Sequence, residues 1–198
     1  DKTLQLIGRH HSVRDFYNAY ELVRKSRIPV VNVDLIIGLP QETEQEIAYS
    51  LEQAVKLAPE NLTMHTLTLK RSAPLFQKQE QAVLTTQAAE KMVQRAAEMA
   101  AAIGLEPYYL YRQHYMLGHL ANIGYAKPGT ESIYNIQMME ERHPVIGVGP
   151  ASASKVPLPD GHHLHKLNMP KNVAVYEARL QELAERRRDL FNIEGTDL

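Results

Sequence analysis

The chain has 198 residues, 44% hydrophobic and 23% charged, with a formal net charge of −1. This size and balance suit one large globular domain, or one domain with an appendage, and give no strong field to attract nucleic acid or an anionic membrane. No apolar stretch reaches the ~20 residues of a membrane span and no apolar leader follows Asp1, so no membrane partner and a cytoplasmic location are expected.

The first clear helix is predicted from about Val13 to Ser26. Ser12 is its N-cap, Asp15 lies three residues on, and Val13, Phe16, Tyr17, Tyr20 and Val23 make one apolar face. Val30 to Ile37 is β-branched and almost continuously apolar, and it stops at Gly38-Leu39-Pro40. That reads as a strand buried on both faces, as in a parallel sheet. Thr43 to Glu46 forms a capping box for a helix whose buried stripe is Ile47, Leu51, Ala54, Val55 and Ala58. Leu62 to Leu67 is a second strand, and the aperiodic stretch from Lys70 to Gln81 is a loop. Thr85 or Thr86 starts a long helix with the stripe Ala89, Met92, Val93, Ala96, Ala100 and Ile103, closed by Gly104. Glu106 to Tyr111 is a third strand. Strands joined by helical crossovers are expected to be parallel neighbours, here in the order 30–37, 62–67, 106–111. The pattern predicts an α/β fold, either a piece of an α/β barrel or a doubly wound sheet.

The pattern changes after Tyr111. Residues 113–132 hold three glycines, a proline and scattered aromatics. Tyr134 to Glu140 and Val145 to Val148 read as strands, Gly147 to Ser154 as a small-residue turn, and His162 to Leu167 as a short strand. A last helix follows Pro170, with Val173, Tyr176, Leu180, Leu183 and Leu190 along it.

The chain contains no cysteine, which excludes disulfides, thiol nucleophiles and Cys-ligated zinc or iron–sulfur centres on these residues. Asp34 is the most informative single residue, because an acid inside an apolar strand is costly unless it is paired or used. Ligand-binding groups in α/β folds sit near the C-terminal ends of strands, so Asp34 is a candidate to receive a ribose hydroxyl or an amino group. The alternative is an acid that bonds a neighbouring loop. Arg9, just ahead of a helix N-terminus, suits a carboxylate or phosphate, or is a surface arginine. His163 and His165 share a strand face if 162–167 is extended, but two ligands make a weak metal site. His10 and His11 flank a cap, and His65 is a core or substrate-side histidine.

Several segments stand in a telling order: IGRHHS, VNVDLIIGLP, NLTMHTLTLKRSAP, EPYYLYRQ, YAKPGTESIYNIQMMEE and GVGPASAS. In this order the chain resembles the oxygen-independent coproporphyrinogen III oxidases, radical S-adenosylmethionine (SAM) enzymes, and especially their coproporphyrinogen dehydrogenase branch. The resemblance implies the C-terminal part of an open (β/α)6 barrel over 1–112, with an α+β extension over 113–198. It implies a parent that oxidatively decarboxylates coproporphyrinogen III to protoporphyrinogen IX in porphyrin and haem biosynthesis, using SAM and a [4Fe–4S] cluster. By it, Arg9, Asp34 and Thr68 fall at SAM contacts. Lys70, Arg71, Arg112 and Gln113 are candidates for the substrate's propionates, to which arginine forks are suited. The family's three-cysteine cluster loop and its Gly-Gly-Glu-type segment are not in this sequence. The expected partner is therefore a missing N-terminal half, and Thr3 to Ile7 read as the last turns of an interrupted helix. Alone, the fragment is expected to be inactive, to bind SAM weakly at most, and to self-associate through its open edge. Two rival readings stand beside this one: a haem-binding or other non-porphyrin radical SAM relative, and a non-catalytic interaction domain.

Overall fold

The helix starts follow local capping chemistry. A computed structural model of the chain describes residues 1–68, 84–111, 120–161 and 163–192. After a short α1 (Lys2–Leu6), α2 (Val13–Lys25) opens with a reciprocal box: Ser12 Oγ accepts from the Asp15 N–H, and Asp15 accepts from the Ser12 N–H at 2.8 Å. Thr43 and Glu46 repeat the arrangement at α3 (Glu44–Lys56). Thr85 caps α4 (Thr86–Ala102), and Gly104, with φ of 77°, follows its end as expected.

α3 and α4 cover one side of a sheet built from β1 (Asn32–Ile37), β2 (Asn61–Thr66), β3 (Glu106–Tyr111) and β4 (Asn122–Ala126). Strand side chains alternate between faces. Val33, Ile37, Leu62, Met64 and Tyr125 therefore point together into the core. There they meet Ile47, Leu51 and Ala54 of α3 and Ala88, Ala89, Met92, Ala96 and Ala100 of α4. Each large side chain buried this way contributes about 1.5–3 kcal/mol.

The expected strand order holds only for the first pair. β1 and β2 are parallel neighbours, but the sheet runs β1-β2-β4-β3, with β4 antiparallel to both of its partners. β3 keeps the direction of β2 without pairing with it. The cause lies at the two ends of β4. Asn122 Oδ1 accepts from the Thr66 N–H at one end, and Lys127 donates to the Glu60 carbonyl while Asn61 reaches the Thr130 carbonyl at the other. β4 thereby takes the ladder edge that β3 would have used. The expected region boundary at 112/113 consequently falls inside the first compact unit, Asp1–Ile133.

Two further expectations change. β1 is buried only on its helix side: Asn32 and Asp34 are exposed on the other face. The apolar face of α2 is not buried either, for Val13 and Phe16 remain exposed. α2 is anchored instead by polar contacts at its far end. Tyr20 donates to the Leu57 carbonyl, and Arg24 pairs with Glu60 at 2.7 Å while lying over the Tyr20 ring. Glu60 also accepts from the Val31 N–H and stands 3.7 Å from Lys127.

The second unit, Tyr134–Leu198, is small. Residues 134–140 belong to a helix, α5 (Ile133–Glu140), and not to a strand. Val145 makes only an isolated bridge to Lys155, in place of a strand over 145–148. β5 (Ala153–Pro157) and β6 (Leu164–Asn168) form an antiparallel hairpin. The single helix expected after Pro170 is two, α6 (Val173–Ala178) and α7 (Leu180–Phe191), because Arg179 leaves helical geometry between them. Leu167, Met169 and Leu183 form the core of this unit, with Tyr176 and Leu190 against it. Among the described residues, no helix is long and apolar enough to cross a membrane.

Candidate functional site on the open face of the sheet

The face of the sheet turned away from α3 and α4 is polar. The parallel register sets Asn32 beside Asn61, Asp34 beside Thr63 and Ile36 beside His65. Thr63 in turn faces Gly124 on β4, and Gly124 faces Tyr109 on β3. Same-face neighbours in adjacent strands lie close enough to interact, and here they form a chain of contacts around one carboxylate.

Asp34 is held from two sides. Asn32 Nδ2 donates to its Oδ1 at 2.6 Å, and His65 Nε2 lies 3.6 Å from Oδ2. Asn32 is itself fixed by the Thr63 hydroxyl, which donates to its Oδ1 at 3.0 Å. The His65 contact, with help from Asn32 and Thr63, holds the Asp34 carboxyl below its ordinary range against the opposing effect of burial. Asp34 is thus an ionised acceptor near neutral pH, and 58% of its side chain still faces solvent. It stands third of six in β1, not at the strand's C-terminal end.

Tyr109 closes the row. Its ring lies across Gly124, where a Cβ would overlap the ring, and its hydroxyl bonds Thr63. Burial, with the nearby Asp34 charge adding to it, pushes the Tyr109 hydroxyl up and opposes the Thr63 bond, so it remains protonated at neutral pH. The assembly offers an anionic acceptor flanked by an amide, two hydroxyls and an imidazole. Such a set suits a polar ligand carrying hydroxyl or ammonium donors.

The other expected site residues are scattered. Arg9 is exposed in the turn ahead of α2, where its N–H donates to the Leu4 carbonyl. Its guanidinium has no partner among the described residues. Thr68 lies just past β2, half-buried, with its hydroxyl 3.5 Å from the Thr66 carbonyl. Lys70, Arg71, Arg112 and Gln113 lie outside the described residues. His163 is not in β6 and pairs with Asp160 at 2.7 Å. Among the described residues, no group of three or more metal-ligating side chains occurs.

Asn32, Thr63 and Tyr109 were not picked out by their sequence. A signal for Thr63 was there: Asn61, Thr63 and His65 alternate with Leu62 and Met64, the period of a strand with one polar face.

No family model matches the chain. Among curated proteins, the oxygen-independent coproporphyrinogen-III oxidase-like protein HemZ of Bacillus subtilis is 39% identical over 94% of this chain. The chain is a relative of the coproporphyrinogen oxidase-like radical SAM proteins. The heme chaperone HemW of Escherichia coli is more distant, 26% identical over 83% of the chain. This chain spans about two fifths of the length of these relatives, 38% of HemZ and 40% of HemW. Among solved structures, coproporphyrinogen III oxidase (HemN) from Escherichia coli, described as a radical SAM enzyme, matches with a TM-score of 0.64. That match is 15% identical and covers 91% of this chain and 41% of the other, so it speaks for the fold, a mixed α/β arrangement shared with part of HemN.

Proposed function

We propose that this chain supplies one wall of the SAM pocket in a parent protein that oxidatively decarboxylates coproporphyrinogen III to protoporphyrinogen IX. The observation that carries the reading is Asp34: an ionised carboxylate, oriented by Asn32 and His65, on the open polar face of the sheet. SAM fits this donor set, since its ribose hydroxyls and its ammonium are all hydrogen-bond donors that a carboxylate accepts. When bound with its cluster, SAM supplies the radical chemistry, and the protein binds and orients. Asp34 would take a ribose hydroxyl or the ammonium, Asn32 and His65 would hold the carboxylate still, and Tyr109 would screen it from the bulk solvent. Arg9 and Thr68 are proposed as further SAM contacts, and Lys70, Arg71, Arg112 and Gln113 as receivers of the substrate's propionates.

Having no cysteine, the chain alone cannot ligate a cluster and is proposed to be inactive without the rest of the parent. The test is anaerobic turnover of coproporphyrinogen III by the whole parent protein with SAM and a reductant. Vinyl products and carbon dioxide are expected; intact substrate under conditions where SAM is bound would overturn the assignment of reaction. A second reading, haem handling, draws on the similarity to HemW. It predicts haem binding by the parent with no turnover of coproporphyrinogen.

A further inference from the structure

We propose that the second unit carries its own binding groove for a carboxylate-bearing tetrapyrrole, with Arg187 and Arg188 receiving a propionate. The proposal rests on the porphyrin reading given above, and it concerns a surface that the SAM wall does not include.

The groove lies between the 137–146 segment and α7, is open to solvent along much of its length, and has a volume of ≈ 620 Å³. That is the range of sites that take whole cofactors and drug-sized ligands, about 300–1,000 Å³. Its walls differ in chemistry. Pro144, Ile146 and Phe191 are apolar, and Ile146 is 61% exposed, a large aliphatic side chain left facing the opening. His143, Arg187 and Arg188 supply nitrogen donors.

The arginines are available to a ligand. α7 spends its Glu182 elsewhere, on Arg179 at 2.7 Å and on Arg186 at 3.8 Å. No ion pair among the described residues joins Arg187 or Arg188 to a carboxylate. Arg187 Nε is shielded from water and has no hydrogen-bond partner among the described residues. A charged N–H in that state is costly, and a ligand that draws the Arg187 guanidinium toward the groove it lines would relieve it. Both arginines lie near the C-terminus of α7, where the helix dipole disfavours anions. The guanidinium groups must therefore be what draws a carboxylate there.

The mixture of walls selects among anions. Inorganic phosphate would use the arginines and leave Pro144, Ile146 and Phe191 wet. A tetrapyrrole with propionate arms uses both, its ring edge against the apolar wall and its carboxylate on the guanidinium fork. The matched relatives are named for coproporphyrinogen and for heme, both of this chemistry.

The experiment titrates the chain with coproporphyrin III, the stable coloured form of the tetracarboxylate, and follows its absorption and fluorescence. Saturable binding is expected, weakened by salt. Arg187→Gln and Arg188→Gln should each cost about tenfold or more in affinity, with Arg187→Lys recovering only part of the loss. The tetramethyl ester, with the same ring and no carboxylate, should not bind. This comparison uses the unaltered chain, so it decides even where a variant fails to fold. Unchanged affinity in folded Arg187→Gln/Arg188→Gln, equal binding of the ester, or displacement by palmitate at equal affinity would each overturn the proposal. Asp34→Asn separates it from the SAM reading: that change should leave porphyrin binding to the groove intact. Arginine-dependent porphyrin binding in a parent whose SAM affinity ignores Asp34 would retain the groove and discard the SAM wall.

Discussion

Replacing Asp34 with Asn removes a charge from the polar face while nearly preserving shape. The amide oxygen can still accept from Asn32, so the 2.6 Å contact survives in neutral form. What is lost is the attraction to His65, 3.6 Å away, between side chains 58% and 34% exposed. Pairs this open are worth about 0.2–1 kcal/mol. In a chain of this size that corresponds to a fall of at most ~4 °C in Tm. A hydrogen bond from SAM to a charged acceptor is worth about 1.5–3 kcal/mol, or roughly tenfold or more in affinity. Ligand affinity should thus fall steeply while stability barely moves. Calorimetric titration of the intact parent with SAM, together with thermal unfolding of both forms, separates the two quantities. A lowered Tm with unchanged SAM affinity would return Asp34 to a purely structural role and remove the main support for the SAM wall.

Other outcomes follow from the packing. Glu60→Gln should cost about 1–3 kcal/mol, because the charge-assisted contacts with Arg24 and Val31 weaken together; thermal unfolding reads it. Burial tends to raise the Glu60 carboxyl, but the bonds from Arg24 and Val31 outweigh it and hold the folded value below the ordinary 4.5. Its stabilisation is then present above about pH 4.5 and lost as pH falls through the lower folded value. An acid-unfolding curve of Glu60→Gln that kept this component would contradict the assignment. Gly124→Ala should destabilise by about 1–3 kcal/mol through overlap with Tyr109, and Tyr109→Ala in the same chain should relieve that cost, a coupling measurable in a double-mutant cycle. Finally, the edge of β1 and the exposed Val13 and Phe16 of α2 should drive self-association of the isolated chain. Light scattering that gave a monomer mass at high concentration would count against it.

Local chemistry made much of the fold legible. The boxes at Ser12 and Thr43, the stripe of α4 and the β-branched run of β1 each carry their own instructions within a few residues. β4 does not. Five residues, Asn122 to Ala126, with a glycine at the centre, resemble their surroundings and become a strand only because β2 presents an edge to them. α5 shows a related dependence on context: Tyr134 and Ile136 favour strands in isolation, yet the segment Ile133–Glu140 is helical. Within the site, Asp34 was visible as an acid among aliphatics. Tyr109 was not, because its place beside Thr63 depends on Gly124, and that juxtaposition is a product of register across three strands.

The insertion of β4 between β2 and β3 sets a timetable for a chain that emerges from the ribosome in order. β3 is made before β4, yet it has no partner until β4 arrives. The contact that fixes β4 at one end links residues 56 apart, Thr66 and Asn122. At about 5–20 residues per second, that gap takes roughly 3–11 s to synthesise. Throughout it, β2 shows a bare ladder edge, and near its end, once residue 111 has been made, β3 adds a strand rich in tyrosine; each is able to pair with the wrong chain. Nascent copies on a shared message should therefore be most prone to mispairing in this interval, and slow codons between 66 and 122 should lower soluble yield more than the same codons placed after 126.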